Sequence, residues 1–114
     1  DPDIRTFYAH QLAESWPETL QALRQIEGDA YLSIDVDGLD PSVIPSTGTP
    51  QPNGLSWAQT MEIIRTLVRN PKARVIAADV VEFVASPHPP GCDIIAARHA
   101  AKVLAYWAAA RRSA

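Results

Sequence analysis

The chain has a single cysteine, Cys92, among 114 residues, which excludes an internal disulfide and any CxxC-type zinc site. It has no basic block: 10 Lys and Arg stand against 13 acids, for a net charge of −3, so a nucleic-acid surface is not indicated. Arg111 and Arg112 suit a helix C-terminus, where cations complement the helix dipole. No stretch runs apolar for the roughly 18 residues of a membrane span, and no signal-peptide pattern is present. There is no initial Met; the chain opens on Asp1-Pro2 directly before an apolar stretch, which reads as a cut start. With 46% hydrophobic and 20% charged residues, the expectation is one soluble, cytoplasmic globular unit with a modest core. Its partners would be small molecules, with no nucleic acid and no membrane.

What the chain does contain alternates between strand and helix patterns. Ile4 to His10 reads as a short strand. Ser15-Trp16-Pro17-Glu18 has the form of a capping box with Pro in the first turn. The helix it predicts runs to about Ile26, with Trp16, Leu20, Leu23 and Ile26 on one face and Gly28 to end it. A strand from Ala30 to Asp35 follows. The next segment, Asp37 to Leu55, has no periodicity and holds four of the ten prolines and three of the five glycines. A loop of that length in a compact domain is commonly functional. Ser56-Trp57-Ala58-Gln59 is a second capping pattern, opening a helix that points Met61, Ile64, Leu67 and Val68 inward until Asn70-Pro71. Arg74 to Val84 reads as a strand covered on both faces, interrupted by Asp79 and Glu82. After the loop Ser86 to Gly91, Asp93 caps a last helix through Ala110, with Ile94, Ala97, Ala101, Leu104 and Trp107 facing inward. The alternation implies an α/β fold, helices layered on a parallel sheet, with ligands at the carboxyl ends of the strands.

The chemistry concentrates at Tyr31-Leu32-Ser33-Ile34-Asp35-Val36-Asp37-Gly38-Leu39-Asp40-Pro41. An apolar strand ends there in two acids spaced i, i+2, which a strand projects from one face. Burying two like charges costs several kcal/mol per ion unless a cation compensates, and the nearest basic residues in sequence are Arg24 and Arg65. An EF-hand calcium loop fails on spacing, because Asp40 and Ser46 stand where its Gly and Glu belong. Asp40, before Pro41, reads as turn structure. Asp35 and Asp37 fit a hard divalent ion such as Mg²⁺ or Mn²⁺, with further ligands from elsewhere. His10, His88 and His99 are expected to be surface or packing residues.

The same residues resemble a known signature. Ser33-Ile34-Asp35-Val36-Asp37-Gly38-Leu39-Asp40-Pro41, then Pro45-Ser46-Thr47-Gly48-Thr49-Pro50 and Asn53-Gly54-Leu55, resemble without gaps the S-[FIL]-D-x-D-x-x-D-P…P-G-T-G-T-P-x-x-G-G-[LI] motif of the ureohydrolases, the family of arginase and agmatinase. Ala78-Asp79-Val80-Val81-Glu82 resembles that family's later D-[VI]-V-E strand. The resemblance implies a three-layer α/β/α fold with a parallel sheet, of which residues 1–114 would be the C-terminal part of a single domain. It implies metal-dependent hydrolysis of a guanidino compound to urea and an amine, with two Mn²⁺ ions. Asp35 would bridge the metals, Asp37 would chelate one, Glu82 would meet the guanidinium, and Thr49 would offer a polar contact. A full-length member would form a trimer or hexamer.

Departures accompany the match, the largest being the absent ligand segments. Ser46 replaces a glycine. Asn53 replaces the first of two paired glycines, a change that a left-handed backbone tolerates. Phe83 to Pro90 differs from the usual continuation after the glutamate. The family's Gly-Gly-[DE]-His and Asp-Ala-His-x-Asp ligand segments do not occur in this sequence, nor does its proton-shuttle histidine. Two alternatives therefore stand beside the hydrolase reading: an inactive α/β fragment that assembles with a partner, and a relative acting on formimino substrates.

Overall fold

Two apolar segments pair side by side to make the framework. In the computed structural model, which describes residues 4–85 and 91–112, strand β1 (Gly28–Asp35) lies parallel to strand β2 (Ala73–Val81). Helix α1 (Leu12–Arg24) precedes β1, helix α2 (Trp57–Val68) joins the two strands, and helix α3 (Cys92–Arg112) follows β2. Short 3₁₀ turns occupy Ala9–Gln11 and Val36–Gly38.

The strand pairing contains one irregularity, and it sets the orientation of the carboxyl half of β2. Ala30 pairs with Val75, but Tyr31 pairs with Ala77, so Ile76 is an extra residue in β2. Because strand side chains alternate with period two, one inserted residue exchanges the faces beyond it. Val75 therefore packs into the core before the bulge, and Ala78 and Val80 after it, opposite Leu32 and Ile34. Asp79 is placed on the other face beside Ser33.

Helices cover one face of this pair. Leu32, Ile34 and Val75 meet Met61, Ile64, Leu67 and Val68 of α2 and Val103 of α3 in one cluster. α1 packs against α2. The opposite face carries Tyr31 and Ser33, both exposed, and Ile76 is 49% exposed. The expectation of a strand covered on both faces thus fails among the described residues, which supply a helix layer on one side of the sheet only. No helix among them is long and apolar enough to cross a membrane.

Local signals held where packing supported them. At the start of α2, Gln59 N–H donates to Ser56 Oγ at 3.2 Å and Ser56 N–H to Gln59 Oε1 at 2.9 Å, the reciprocal capping box. Asn70 ends the helix and reaches across, its Nδ2 donating to the carbonyls of Leu23 and Ile26 at 3.0 and 2.8 Å.

Elsewhere packing overrode the local pattern. Residues 4–8 form no strand, because no neighbouring strand pairs with them; Ile4 and Tyr8 are 67% and 58% exposed. The Ser15 capping box does not form. α1 begins earlier, at Leu12, which it buries, and Ser15 Oγ donates back to the Gln11 carbonyl at 2.9 Å. Pro17 then lies inside the helix, which ends at Arg24 rather than near Ile26. In α3 the buried stripe is Cys92, His99 and Val103, with Ile95, Ala96, Tyr106 and Trp107 beside it. Ile94 and Leu104, expected inside, are 56% and 61% exposed. Alanines occupy both sides of this helix, so apolar periodicity alone does not choose the face. Asp93 sits within the first turn rather than capping it. The stretch 86–90, with His88, lies outside the described residues.

His99 is fully buried, as a packing histidine. Its Nδ1 lies 3.0 Å from the Ile95 carbonyl, which only accepts, so Nδ1 carries the proton. The ring meets Trp57 edge-on at 4.4 Å. Burial pushes its pKa below the ordinary 6.5, against the opposing Ile95 hydrogen bond. A ring kept neutral in the fold but protonated when unfolded contributes stability that is full above pH 6.5 and lost as the pH falls toward the depressed value. Urea midpoints are expected to drop between about pH 7 and 5, with a shallower slope in His99→Leu.

Candidate active site

The site is assembled where both strands end. β1 projects Asp35 onto the face opposite the core, as its alternation with buried Ile34 and Val36 requires. The chain then tightens into the 3₁₀ turn, and Asp37 N–H donates to Asp35 Oδ1 at 3.1 Å. This turn holds the two acids together. Partial desolvation at the strand end raises the Asp35 pKa, and the nearby charges of Asp37 and Glu82 act in the same direction.

The long loop folds back on this turn instead of hanging free. Leu55 N–H donates to the Gly38 carbonyl at 2.9 Å, and Asp40 N–H to the Leu55 carbonyl at 3.0 Å. The Asp40 carboxylate staples both ends, accepting from Ser42 N–H and from Asn53 N–H, each at 2.9 Å. The Ser42 hydrogen bonds hold its pKa below the ordinary value, with Asn53 and Gly54 contributing less. Asp40 is therefore turn structure, as its Asp-Pro context suggested. Asn53 adopts φ 63°, the conformation its tolerance of the left-handed region anticipated. At Gly54 an added Cβ would lie 2.5 Å from the Leu39 carbonyl carbon, so only glycine fits this crossing. Ile44, in a segment with few apolar residues, is fully buried and anchors the loop to the core.

The folded loop delivers Thr49 to the acids: its Oγ1 donates to Asp37 Oδ2 at 2.5 Å. Glu82 arrives from the other strand. Val81 pairs with Asp35, and Glu82 follows at φ 62°. The chain is held just beyond it, where Phe83 bridges to Thr47 and Val84 N–H donates to the Ser46 carbonyl at 3.0 Å. Ser46 Oγ and Thr47 Oγ1 in this clamp are buried without a hydrogen-bond partner among the described residues. Asp35, Asp37, Thr49 and Glu82, all predicted from the sequence, are thus brought to one end of the sheet.

One network was not foreseen. On the open face Tyr31 Oη donates to Asp79 Oδ2, and Ser33 Oγ donates to Asp79 Oδ1 at 2.7 Å. These bonds, Tyr31 first, hold the Asp79 pKa below its ordinary value. The i, i+2 spacing of Tyr31 and Ser33 was visible in the sequence. The bulge that turns Asp79 toward them was not.

Carboxylate oxygens are hard donors, and Asp35 and Asp37 make no ion pair among the described residues. Their chemistry fits a divalent cation, but as part of a donor set: among the described residues no cluster of three or more His, Cys, Asp or Glu could hold a metal ion. A sequence model of the arginase family matches residues 2–109. The chain belongs to the arginase family. It is 29% identical over 113 residues to an N(1)-aminopropylagmatine ureohydrolase from Synechocystis sp., an alignment covering 98% of this chain and 36% of that relative. It is 41% identical over 85 residues to an agmatinase from Chromobacterium violaceum, covering 73% of this chain and 26% of the relative. In three dimensions it resembles a hypothetical agmatinase from Burkholderia thailandensis, with a TM-score of 0.77 and 34% identity over 97% of this chain and 39% of that one. This arginase-family chain therefore spans about a third of the length of such relatives, and its parallel strand pair with helices on one face is part of their α/β architecture.

The positive φ of Glu82 and the tight crossing at Gly54 both carry measurable costs. A non-glycine residue in the left-handed region costs about 1–2 kcal/mol, so Glu82→Gly is expected to be more stable than Glu82→Ala by about 1 kcal/mol in chemical denaturation. Gly54→Ala should lose about 1–3 kcal/mol, because the contact is with backbone that has nowhere to move.

Proposed function

We propose that this chain carries the carboxylate part of a guanidino-hydrolase site, which adds water across the guanidinium carbon of a linear amidine and releases urea and an amine. The carrying observation is that Asp35, Asp37 and Glu82 meet at one sheet end while Glu82 is held in a strained backbone conformation beside them. Asp35 and Asp37 would hold manganese, and the remaining donors would come from outside the described residues. Two bound divalent ions supply an activated water near neutral pH and offset charge in the transition state.

The chain's own residues account for recognition. Glu82 presents an exposed carboxylate whose two oxygens match the paired N–H groups of a planar guanidinium. Because Phe83 and Val84 are pinned to the loop, the Glu82 backbone is positioned in advance of binding. Thr49 spends its one hydroxyl proton on Asp37, which fixes that side chain's rotamer. Its lone pairs stay free to accept from a substrate N–H. Agmatine and its N(1)-aminopropyl derivative are the substrate class that the relatives' names support best.

In the full-length protein, manganese-dependent urea release from agmatine should exceed that from arginine and guanidinobutyrate. Asp37→Asn is expected to lower bound manganese together with activity; unchanged metal content would remove Asp37 from the ligand set. Glu82→Gln should leave metal content intact and raise KM about tenfold to a hundredfold, the loss of one charged hydrogen-bonded pair.

A further inference from the structure

At the opposite end of the sheet from these acids, the C-terminal ends of α1 and α2 converge on the turn that enters β2. Nine residues of strand separate the two places, roughly 30 Å at about 3.3 Å per residue. The helix ends flank an open concavity of about 490 Å³, lined by Arg24 from α1, Arg65 from α2, Arg69 at its C-cap, and Lys72 from the turn, all four exposed. Four of the chain's 10 basic residues thus line one concavity in a protein of net charge −3.

The acids nearby offset only part of this charge. Glu62 lines the concavity and keeps its negative charge while accepting from the neutral Trp16 Nε1–H at 3.1 Å. Lys72 Nζ is paired with Glu27 at 2.8 Å on the exposed rim. Arg24, Arg65 and Arg69 make no ion pair among the described residues. Arg65 is held in place, with Nε donating to the Met61 carbonyl at 3.2 Å and its guanidinium 5.9 Å from the centre of the Tyr106 ring. Its terminal nitrogens have no hydrogen-bond partner among the described residues.

Arginines at helix C-termini are ordinarily explained by the helix dipole, and that explanation is insufficient here. The carbonyls of Leu23 and Ile26 at the end of α1 are already satisfied by Asn70 Nδ2. Arg65 and Arg69 stand four residues apart on one helix face, a like-charge spacing that destabilises the helix by itself. An anion held between these exposed guanidinium groups would offset their mutual repulsion. We propose that the cavity binds a small multivalent oxyanion, with the arginine forks taking its oxygens in pairs and Thr66 supplying a hydroxyl at the wall. The site is independent of the hydrolase reading and distant from it.

Calorimetric titration of the purified protein with pyrophosphate, and separately with citrate, at matched ionic strength tests this. Saturable binding that weakens as salt is raised is expected for at least one of them. Binding of pyrophosphate alone identifies a phosphate-type ligand, and of citrate alone a polycarboxylate. The double variant Arg65→Gln with Arg69→Gln should weaken affinity at least tenfold, while circular dichroism reports an unchanged fold. The single variant Arg24→Gln, at an exposed position, gives the same comparison should the double variant unfold. No saturable binding by either anion, or equal affinity in the folded variants, overturns the proposal.

Discussion

The parallel ladder between β1 and β2, with its single extra residue at Ile76, is the constraint on which the remaining geometry rests. Parallel strands need a crossover between their ends, and α2 supplies it while bringing Met61, Ile64, Leu67 and Val68 onto the sheet. The inserted residue lets Val75 and Ala78 both face the helices, because without it every side chain beyond Ile76 would change faces. Asp79 would then enter the apolar layer, where an unpaired carboxylate is costly. Instead it bonds to Tyr31 and Ser33 on the open face. Asp35 and Val81 end the strands side by side, so Asp35 and Glu82 become neighbours.

Around that end the chain concentrates like charge and irregular backbone, and holds both with a set of local bonds. The Asp35 carboxylate takes a backbone N–H from Asp37, Asp37 takes the hydroxyl of Thr49, and Asp40 takes two backbone N–H groups across the loop. Each bond is a modest contribution to stability, yet together they fix a segment that has no repetitive hydrogen bonding of its own. Fully buried Ile44 and Val36 tie this polar lattice to the core. Glu82 in the left-handed region is consistent with a functional demand on its direction, since such strain persists where surrounding structure over-determines it. Membership of the arginase family gives that demand a chemical context.

Cations outnumber acids at the start of the strands, where Glu27, Asp29 and Glu62 also lie, and acids prevail at the other end. Carboxylates gather at the strand C-termini, while Arg24, Arg65, Arg69 and Lys72 surround the cavity at the start of β2. A net charge of −3 conceals this separation entirely. The third layer implied by the family resemblance is not present among the described residues. The polar open face is therefore exposed: Tyr31 and Ile76 are 61% and 49% accessible.

Much of the candidate site was legible in the sequence because its signals are local. Two acids at i, i+2 after an apolar run, an Asp-Pro turn, a Ser-x-x-Gln box and a loop rich in Gly and Pro each specify nearby backbone geometry, and Asp35, Asp37, Asp40 and Ser56 behave accordingly. The ungapped motif joined Thr49 to them, and the later Asp79-Val80-Val81-Glu82 stretch joined Glu82. Only the tertiary structure decided what depends on a neighbour. Residues 4–8 have strand-like composition but no strand to pair with, and Ser15 yielded its cap so that Leu12 could be buried. Alanine-rich α3 could present either face, and the packing of His99 against Trp57 selected one. The bulge at Ile76 and the meeting of four cations from three segments arise from registry between distant parts of the chain, and no short stretch of sequence carries that information.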